Sequence, residues 1–211
     1  MKLDITKHKD VLLKLGGLGI IHDDPAKFEV EYEDDGIDSN WCVTFSAWTN
    51  HQVRIRYYDV CDPHIYIAAV YLPQHLQGNG TALRLLLQII DVARQLKVDR
   101  IKLCAMRQEV NDNDEDYPTI GYYVWPKFGF DGNVVELMDD TITYDDLTSY
   151  MQETYCNDHH ISVHDLIRVK GWDWWRIYGS TFDATFDVCP FSTSCAILRA
   201  YLEAKGIDYG F

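Results

Sequence analysis

The sequence has no apolar run that approaches the ~20 residues needed to cross a membrane as a helix. Residues 1–10 do not form a secretory signal pattern, because the apolar stretch that follows is short and is interrupted by Gly16, Gly17 and Gly19. The six cysteines show no Cys-x-x-Cys spacing, so reduced thiols are the simplest interpretation. These absences predict a soluble globular protein of the cytoplasm with no membrane partner.

Basic residues are also scarce, with 19 Lys and Arg against 33 Asp and Glu and a formal net charge of −14. Nucleic-acid-binding proteins usually concentrate Lys and Arg, so this balance makes a nucleic-acid partner unlikely and favours a cationic or neutral partner. A local basic patch would escape this average. A length of 211 residues suits one sizeable domain, alone or with an appendage.

The most informative stretch covers residues 64–96. Residues 64–72 are apolar, β-branched and aromatic apart from His64, which predicts a buried central strand that ends at Pro73. A glycine-rich turn over residues 77–82 follows. Apolar residues at 82, 83, 86, 87, 90 and 93 then recur with the spacing of one helix face.

A strand, a glycine turn and a helix in this order predict an anion-binding loop. A helix begins with unpaired N–H groups and a partial positive charge, and glycines let the backbone approach an anion closely. The turn is not a Walker P-loop, because no Lys-Ser/Thr follows Gly80. It also lacks the third glycine of the dinucleotide-binding pattern, and it fits Gln77-x-x-Gly80-x-Ala82 instead.

This turn resembles the signature of the GCN5-related N-acetyltransferases (the GNAT superfamily), Gln/Arg-x-x-Gly-x-Gly/Ala, which lies between the fourth strand and the next helix. The segment Trp125-Pro-Lys-Phe-Gly129-Phe130 resembles a second family feature, Tyr-x-x-x-Gly-Phe. The resemblance covers residues 25–135. It implies an α/β fold of the mixed α+β kind, whose mostly antiparallel central sheet splays between strands 4 and 5 and is flanked by helices.

The resemblance further implies that acetyl-CoA is the co-substrate, with its pyrophosphate on the turn and its pantetheine arm along the fourth strand. A plain glycine turn before a helix is the alternative. The implied cofactor-binding residues are Ala68, Val70, Tyr71, Gln77, Gly78, Asn79, Gly80, Thr81 and Ala82.

Acetylation of an amine needs a base for the amine and an acid for the departing thiolate. Family members of the histone type have a Glu where this chain has His64, and a histidine suits the role because its ordinary pKa of ~6.5 leaves it largely neutral at pH 7. The usual acid is a Tyr at the position of Trp125, which has no titratable proton. Tyr122, or Tyr123 behind it, is therefore predicted as the substitute. His64 could equally be structural, and both tyrosines could be packing aromatics.

Periodicity and turn residues predict the remaining elements. The predicted strands cover residues 27–33, 40–48, 52–60, 100–106 and 182–188, the second and third joined by a turn at Thr49-Asn50 to give an antiparallel meander. The predicted helices cover residues 7–15, 119–128, 144–155, 163–170 and 194–205, with Gly129 and Gly206 as stops and Ser162 as a cap. Pro126 should distort or shorten its helix.

Three further clusters have a structural and a functional interpretation. The acidic residues 111–116 only partly match a calcium loop and are better explained as a solvated loop that could attract a cationic acceptor. Cys156, His159, His160 and His164 could bind zinc but are more typical of a solvated linker, so no metal is predicted. The aromatic residues Trp172, Trp174, Trp175 and Tyr178 are predicted as core, with an acceptor-binding wall as the alternative.

Together these patterns predict an acetyltransferase-like core over residues 1–138. A C-terminal extension over residues 139–211 would add two helices, a strand at the edge of the sheet and a final helix. The predicted activity is acyl transfer to an amine of a small molecule or protein by direct attack. The competing class is a non-catalytic protein of the same fold that binds acyl-CoA or a protein partner, as a phage-encoded interaction protein would. The acceptor and the oligomeric state stay open, and a dimer is compatible with the sequence.

Overall fold

The computed structural model describes residues 5–34, 39–48, 51–58, 63–70, 72, 74–108, 119–134, 149, 151–152 and 161–209. The chain divides into two compact units, Met1–Leu103 (unit 1) and Cys104–Phe211 (unit 2). Both contain helices and strands, so the fold is of the mixed α and β class. The predicted boundary at residues 138/139 lies outside the described ranges and stays a prediction.

Unit 1 contains a meander of strands that leads into the predicted central strand. Its strands are β1 (Phe28–Asp34), β2 (Ser39–Trp48), β3 (His51–Tyr58), β4 (His64–Val70) and the first part of β5 (Arg100–Ala105), which continues into unit 2. Its helices are α1 (Ile5–Leu15) and α2 (Thr81–Leu96), with short 3-10 turns at Pro25–Lys27 and Gln74–Leu76.

These strands lie in the order β1-β2-β3-β4-β5 within one sheet. The pairs β1/β2, β2/β3 and β3/β4 are antiparallel, which confirms the predicted meander. Strands β4 and β5 are parallel, because helix α2 lies between them in sequence and returns the chain to the end of the sheet where β4 begins. The sheet of unit 1 is therefore mixed and mostly antiparallel.

Helix α2 buries the apolar face that its periodicity predicts. Leu83, Leu86, Leu87, Ile90 and Ala93 are all buried, and Ala82 at the start of the face is half-buried. Gln88 of α2 is half-buried, and its Nε2 donates hydrogen bonds to the carbonyls of Lys14 (2.7 Å) and Leu18 (3.0 Å). Lys14 lies in the last turn of α1, where its carbonyl also accepts from the Gly17 N–H, and Leu18 lies beyond the end of the helix. Gln88 therefore joins α2 to the end of α1.

Unit 2 begins with the end of β5 and a two-residue antiparallel pair, β6 (Arg107–Gln108) with β7 (Thr119–Ile120). Helix α3 (Gly121–Lys127) follows directly. The later elements are α4 (Val163–Lys170), α5 (Trp172–Tyr178), β8 (Phe182–Asp187) and α6 (Thr193–Ala204).

Aromatic side chains form much of the core of unit 2. Trp175 is fully buried and donates from Nε1 to the carbonyl of Tyr122 at 2.9 Å. Phe130 and Phe186 are also fully buried, with ring centroids 5.3 Å apart. Ser162 begins α4 as predicted, because its hydroxyl accepts from the N–H groups of His164 and Asp165.

Several predictions of element boundaries need correction. Thr119 and Ile120 are not helical but pair with Gln108 and Arg107 as a strand, so the predicted helix over residues 119–128 begins at Gly121. It is seven residues long, with Pro126 in its last turn, and it ends at Lys127, one residue before the predicted end. The two residues missing at its start are those that pair as a strand. Strand β4 ends at Val70, two residues before the predicted end.

The predicted aromatic core around α5 is correct for one residue only. Trp175 is buried, whereas Trp172 and Tyr178 are exposed and Trp174 is half-buried. The sequence analysis did not anticipate that these residues form a helix, in which neighbouring side chains point to different faces.

Other predictions fall on residues that the structure does not describe. They concern the turn at Thr49-Asn50, the loop at 111–116 and, apart from isolated residues, the helix at 144–155. Within the described ranges, no helix combines the length and apolar character of a membrane span. The described cysteines, Cys42, Cys104, Cys189 and Cys195, form no disulfide with one another.

Candidate functional site

The glycine turn between β4 and α2 is the centre of the candidate cofactor site. Gly78 and Gly80 have φ angles of 72° and 81°, a backbone region that L side chains rarely adopt. A Cβ atom built on either glycine would meet no atom within 4 Å. The glycines are therefore needed for the backbone path, and the space in front of them is open to an approaching group.

Side chains of the turn hold its shape from within. Gln77 donates from Nε2 to the carbonyl of Leu72 at 2.8 Å, which ties the turn to the end of the strand region. Asn79 Oδ1 accepts hydrogen bonds from both the N–H (3.2 Å) and the hydroxyl of Thr81. Thr81 is almost fully buried, at 1% exposure, so Asn79 satisfies polar groups that water does not reach.

The first turn of α2 presents further donors at this position. Gly80 is the residue that begins the helix, and its carbonyl accepts from the N–H of Arg84 at 2.9 Å. The N–H groups of Ala82 and Leu83 have no carbonyl partner within the helix, as is general for a first turn. The exposed Arg84 also donates from Nη2 to the Thr81 hydroxyl at 3.3 Å, so a guanidinium lies beside the turn. The arrangement suits a negatively charged ligand.

Strand β4 changes its pairing shortly before the turn. Among the described residues, its parallel ladder with β5 runs from His64 and Arg100 to Ile67 and Leu103. On the other side, β3 pairs with Ile67 and then with Ala69, so Ala68 is an extra residue that forms a bulge. Ala68 is exposed and Val70 is half-buried, so this part of β4 is partly open to solvent.

The predicted base, His64, lies at the start of β4. It is half-buried and stands in register with Tyr58 of β3 and Arg100 of β5. Ala68 lies four positions further along the strand, a distance of about 13 Å at a rise of ~3.3 Å per residue. His64 and the predicted cofactor residues thus share one strand and its following turn, but at opposite ends of that strand.

The first predicted acid, Tyr122, is enclosed in unit 2. It is 8% exposed, and its hydroxyl donates to the carbonyl of Arg176 at 2.8 Å. The guanidinium carbon of Arg107 lies 5.1 Å from its ring centroid. These contacts give Tyr122 a packing role. Its predicted catalytic role stays a prediction.

The second predicted acid, Tyr123, contacts a lysine and a tryptophan. Lys127 Nζ lies 3.7 Å from the centroid of the Tyr123 ring and 5.2 Å from that of Trp172. The Tyr123 and Trp172 rings meet edge to face, at 89°. Tyr123 is half-buried, so it is the more accessible of the two tyrosines.

Of the residues considered for zinc, only His164 is described. Its Nε2 lies 2.9 Å from the carbonyl of Pro126, and its Nδ1 lies 3.6 Å from Asp131 Oδ2. The same Asp131 side chain accepts from the hydroxyl of Ser162, which begins α4. The described contacts of His164 therefore connect the end of α3 to the start of α4, and Cys156, His159 and His160 lie outside the described residues.

The predicted residues thus divide between the units. Unit 1 contains His64, Ala68, Val70 and the turn from Gln77 to Ala82, whereas Tyr122 and Tyr123 belong to unit 2. Tyr71 is not among the described residues. The bulge at Ala68 has no signal in the sequence, and the hydrogen bonds of Asn79 and Arg84 were not predicted from it. An Asn just before a glycine at a helix start is a usable signal for such a cap.

Comparison of the chain with protein-family models, with curated proteins and with solved structures found no match.

Proposed function

We propose that the protein is an acyl-CoA-dependent N-acyltransferase, most simply an acetyltransferase, with a GNAT-like fold. One observation supports it above the others. The pairing of β4 with β5 ends at Ile67, and β4 forms a bulge at Ala68. The chain then enters the glycine turn, whose Gly78 and Gly80 have positive φ angles, at the start of the 16-residue helix α2. Such a segment supports the proposal because a CoA thioester pairs its amides with an exposed strand and binds its pyrophosphate at a helix start.

The cofactor in this proposal is acetyl-CoA as a co-substrate. Its pyrophosphate lies at the open side of Gly78 and Gly80 and accepts hydrogen bonds from the first turn of α2. Its pantetheine amides would pair with the backbone of β4 around Ala68 and Val70, because amides extend a strand as a further strand would. Arg84 adds a positive charge beside the turn.

The reaction is direct acyl transfer. The acceptor nitrogen attacks the thioester carbonyl, the carbon–sulfur bond breaks, and the thiolate takes a proton from an acid or from water. His64 accepts the proton that the amine loses. His64 lies about 13 Å along β4 from Ala68, so proton transfer to it requires the reacting amine and thioester to lie toward the start of β4.

The acceptor is an amine of a small molecule or of a protein. The net charge of −14 favours a cationic amine, since a strongly acidic protein attracts cations and repels anions at long range. Tyr123, the more accessible tyrosine, is the better of the two candidates for the acid.

Calorimetric titration with acetyl-CoA tests the cofactor site. The decisive variant is Gly80→Asp, which adds a negative charge where the pyrophosphate lies. Its matched control is Gly19→Asp in the same unit, where φ is 83° against 81° at Gly80 and where a Cβ also meets no atom within 4 Å. The two variants share the backbone cost and the added charge, and differ only in position.

Micromolar binding by the parent and by Gly19→Asp, with loss of at least tenfold in Gly80→Asp, is the expected result. A parent protein that binds no acetyl-CoA contradicts the proposal. Equal loss in both variants contradicts the position of the site, because it assigns the effect to strain or to net charge.

A second candidate function is a protein that binds acyl-CoA or a protein partner without catalysis. The observation that favours it is the Tyr122 hydroxyl, which is buried and bonded to the Arg176 carbonyl. Acetyl transfer to a panel of amines by the parent and by His64→Ala separates the two. Turnover that falls at least tenfold in His64→Ala supports catalysis, whereas tight binding without turnover supports the second candidate.

A further inference from the structure

One lysine ammonium of unit 2 lies between two aromatic rings. Lys127 Nζ lies 3.7 Å from the centroid of the Tyr123 ring and 5.2 Å from that of the Trp172 ring. The two ring centroids are 6.0 Å apart, and the ring planes stand at 89° to each other. The rings therefore form two walls of a corner that the ammonium occupies. We call Tyr123 and Trp172 the aromatic corner.

The aromatic corner joins two helices that are fixed to each other. Tyr123 belongs to α3, and Trp172 is the first residue of α5. The Trp175 indole donates to the Tyr122 carbonyl at 2.9 Å, and the Tyr122 hydroxyl donates to the Arg176 carbonyl at 2.8 Å. These hydrogen bonds hold α3 against α5 independently of the lysine. The two walls are therefore preformed, which lowers the entropic cost of binding a ligand between them.

The occupant of the aromatic corner shows which chemistry the rings accept. The face of an aromatic ring is electrostatically negative, so it attracts a cation that lies over it. Among the described residues, the contacts of the Lys127 ammonium are with these two rings, although the chain carries 33 acidic side chains. Aromatic walls of this kind also suit alkylated ammonium groups, which combine a positive charge with an apolar surface.

Lys127 is a weak internal occupant of the aromatic corner. Tyr123 and Lys127 lie four residues apart on α3, so the helix itself brings them together. A lysine ammonium is strongly hydrated and its stem is flexible, so this half-buried side chain can leave the corner for water. Trp172 is 36% exposed, which gives an outside group access to one wall. An external cation can therefore take the place of the lysine.

We propose that the aromatic corner is a binding site for an alkylated ammonium group, and that Lys127 competes for it from within the chain. Choline and a trimethylated lysine side chain both carry such a group. The ligand nitrogen lies over the Tyr123 face, and its methyl groups contact Trp172. The net charge of −14 attracts such a cation at long range. The inference rests on contacts within unit 2 and is independent of acyl transfer.

Titration with choline, followed by NMR of the choline methyl protons, tests the site. The parent should bind choline, and Tyr123→Leu and Trp172→Leu should each weaken binding by roughly twofold to fivefold, the range for one exposed cation–π contact. Lys127→Ala removes the competing ammonium and should strengthen binding by a factor in the same range. A peptide with one trimethyl-lysine distinguishes the two sources of the group, because a peptide ligand should bind more tightly than choline and a small-molecule ligand should not.

Two controls separate the aromatic corner from general electrostatics. Lys205→Ala removes a lysine from the same unit, whose Nζ lies 5.9 Å from the centroid of a single ring, that of Tyr201. It should bind choline less tightly than Lys127→Ala does, because only the latter empties the corner. The neutral analogue of choline, in which carbon replaces nitrogen, should bind more weakly than choline. Thermal unfolding of each variant verifies that the fold is intact.

A second readout follows the displaced lysine in the parent protein and needs no variant. An amine-reactive reagent labels exposed lysines, and mass spectrometry locates the label. Choline should increase the labelling of Lys127 and leave that of Lys205 unchanged, because choline drives only Lys127 into water.

Four results would overturn the proposal. Choline may bind neither the parent nor Lys127→Ala, which removes the site. If Tyr123→Leu and Trp172→Leu both bind as tightly as the parent, the rings have no part in binding. A neutral analogue that binds as tightly as choline would assign the binding to apolar contact. Equal gains in Lys127→Ala and Lys205→Ala would show that net charge acts and that no competitor is released.

Discussion

Gly80 in unit 1 and Gly129 in unit 2 have similar backbone conformations in opposite surroundings. Their φ angles are 81° and 94°, and each lies at the end of a helix, Gly80 before α2 and Gly129 after α3. A Cβ on Gly80 would meet nothing within 4 Å. A Cβ on Gly129 would lie 2.2 Å from the carbonyl oxygen of Ser194.

The difference in space around the two Cβ positions indicates two reasons why a glycine is needed. At Gly129 the space that a side chain would occupy is filled by the backbone of Ser194, so the glycine allows close packing inside unit 2. At Gly80 the corresponding space is open, and the glycine leaves the N-terminus of α2 accessible. Of these two glycines, only Gly80 has room for a ligand.

The largest expected effect in the packed region is that of Trp175→Ala. Trp175 is fully buried and bonds to the Tyr122 carbonyl, so its removal leaves a cavity and an acceptor without its partner. The free energy of unfolding should fall by about 4 kcal/mol, which urea denaturation measures. Trp172→Ala on the same helix should cost less than about 1 kcal/mol, and an equal loss would contradict the assigned burial.

Gly129→Ala tests the close approach itself. The added Cβ overlaps backbone, which cannot move as a side chain can, and the residue must also keep a positive φ. A loss of about 3 kcal/mol is expected in urea denaturation.

Gly206→Ala is the matched control, because it shares the unit and a positive φ of 67° but has open space around its Cβ. It should cost about 1 kcal/mol, from the backbone conformation alone. If both substitutions have the same effect, the contrast between packed and open glycines is wrong.

In the open turn, Asn79→Ala should lower the free energy of unfolding by about 1 kcal/mol, because the N–H and hydroxyl of Thr81 lose their acceptor. Asn79→Asp keeps an acceptor and should retain this stability. Its negative charge should nevertheless weaken acetyl-CoA binding in calorimetry. If Asn79→Asp binds acetyl-CoA as the parent does, the glycine turn is not the site of the anion.

The smallest effect concerns Cys104 at alkaline pH. Burial, and then the negative charge of Asp183, raise the pKa of the Cys104 thiol above its ordinary value of 9.0. Below pH 9 the folded and unfolded states both keep the proton. As the pH rises further, the unfolded state loses it first, so the stability of the folded state should fall.

Urea denaturation of the parent and of Cys104→Ala from pH 7 to pH 10 measures this contribution. The parent should lose slightly more stability over this range than the variant does. If the free energy of unfolding depends on pH in the same way in the parent and in Cys104→Ala, the thiol has the same pKa in the folded and unfolded states. Asp183→Asn should reduce the difference without abolishing it, because burial is the larger cause.

Local patterns were sufficient for most of the described elements. Alternation of apolar residues predicted β1, β5 and β8, and helical spacing predicted α2, because these periods follow directly from backbone geometry. Ser162 and Gly206 correctly marked a helix start and a helix end. The parts of the candidate site that lie within one motif, from Gln77 to Ala82, could be located in the same way.

Features that depend on distant residues could not be predicted. The strand at Thr119–Ile120 forms because it pairs with Arg107–Gln108. The exposure of Trp172 depends on which face of α5 the core covers. The bulge at Ala68 arises from the register between β3 and β4, which no local pattern records.

The sequence by itself therefore determined the order of strands and helices and the position of a glycine turn at a helix start, since backbone preferences are local. Only the tertiary structure decided which glycines face open space, which tryptophan is buried and where β4 departs from its neighbour. Those properties depend on atoms that are remote in sequence and that folding brings into contact.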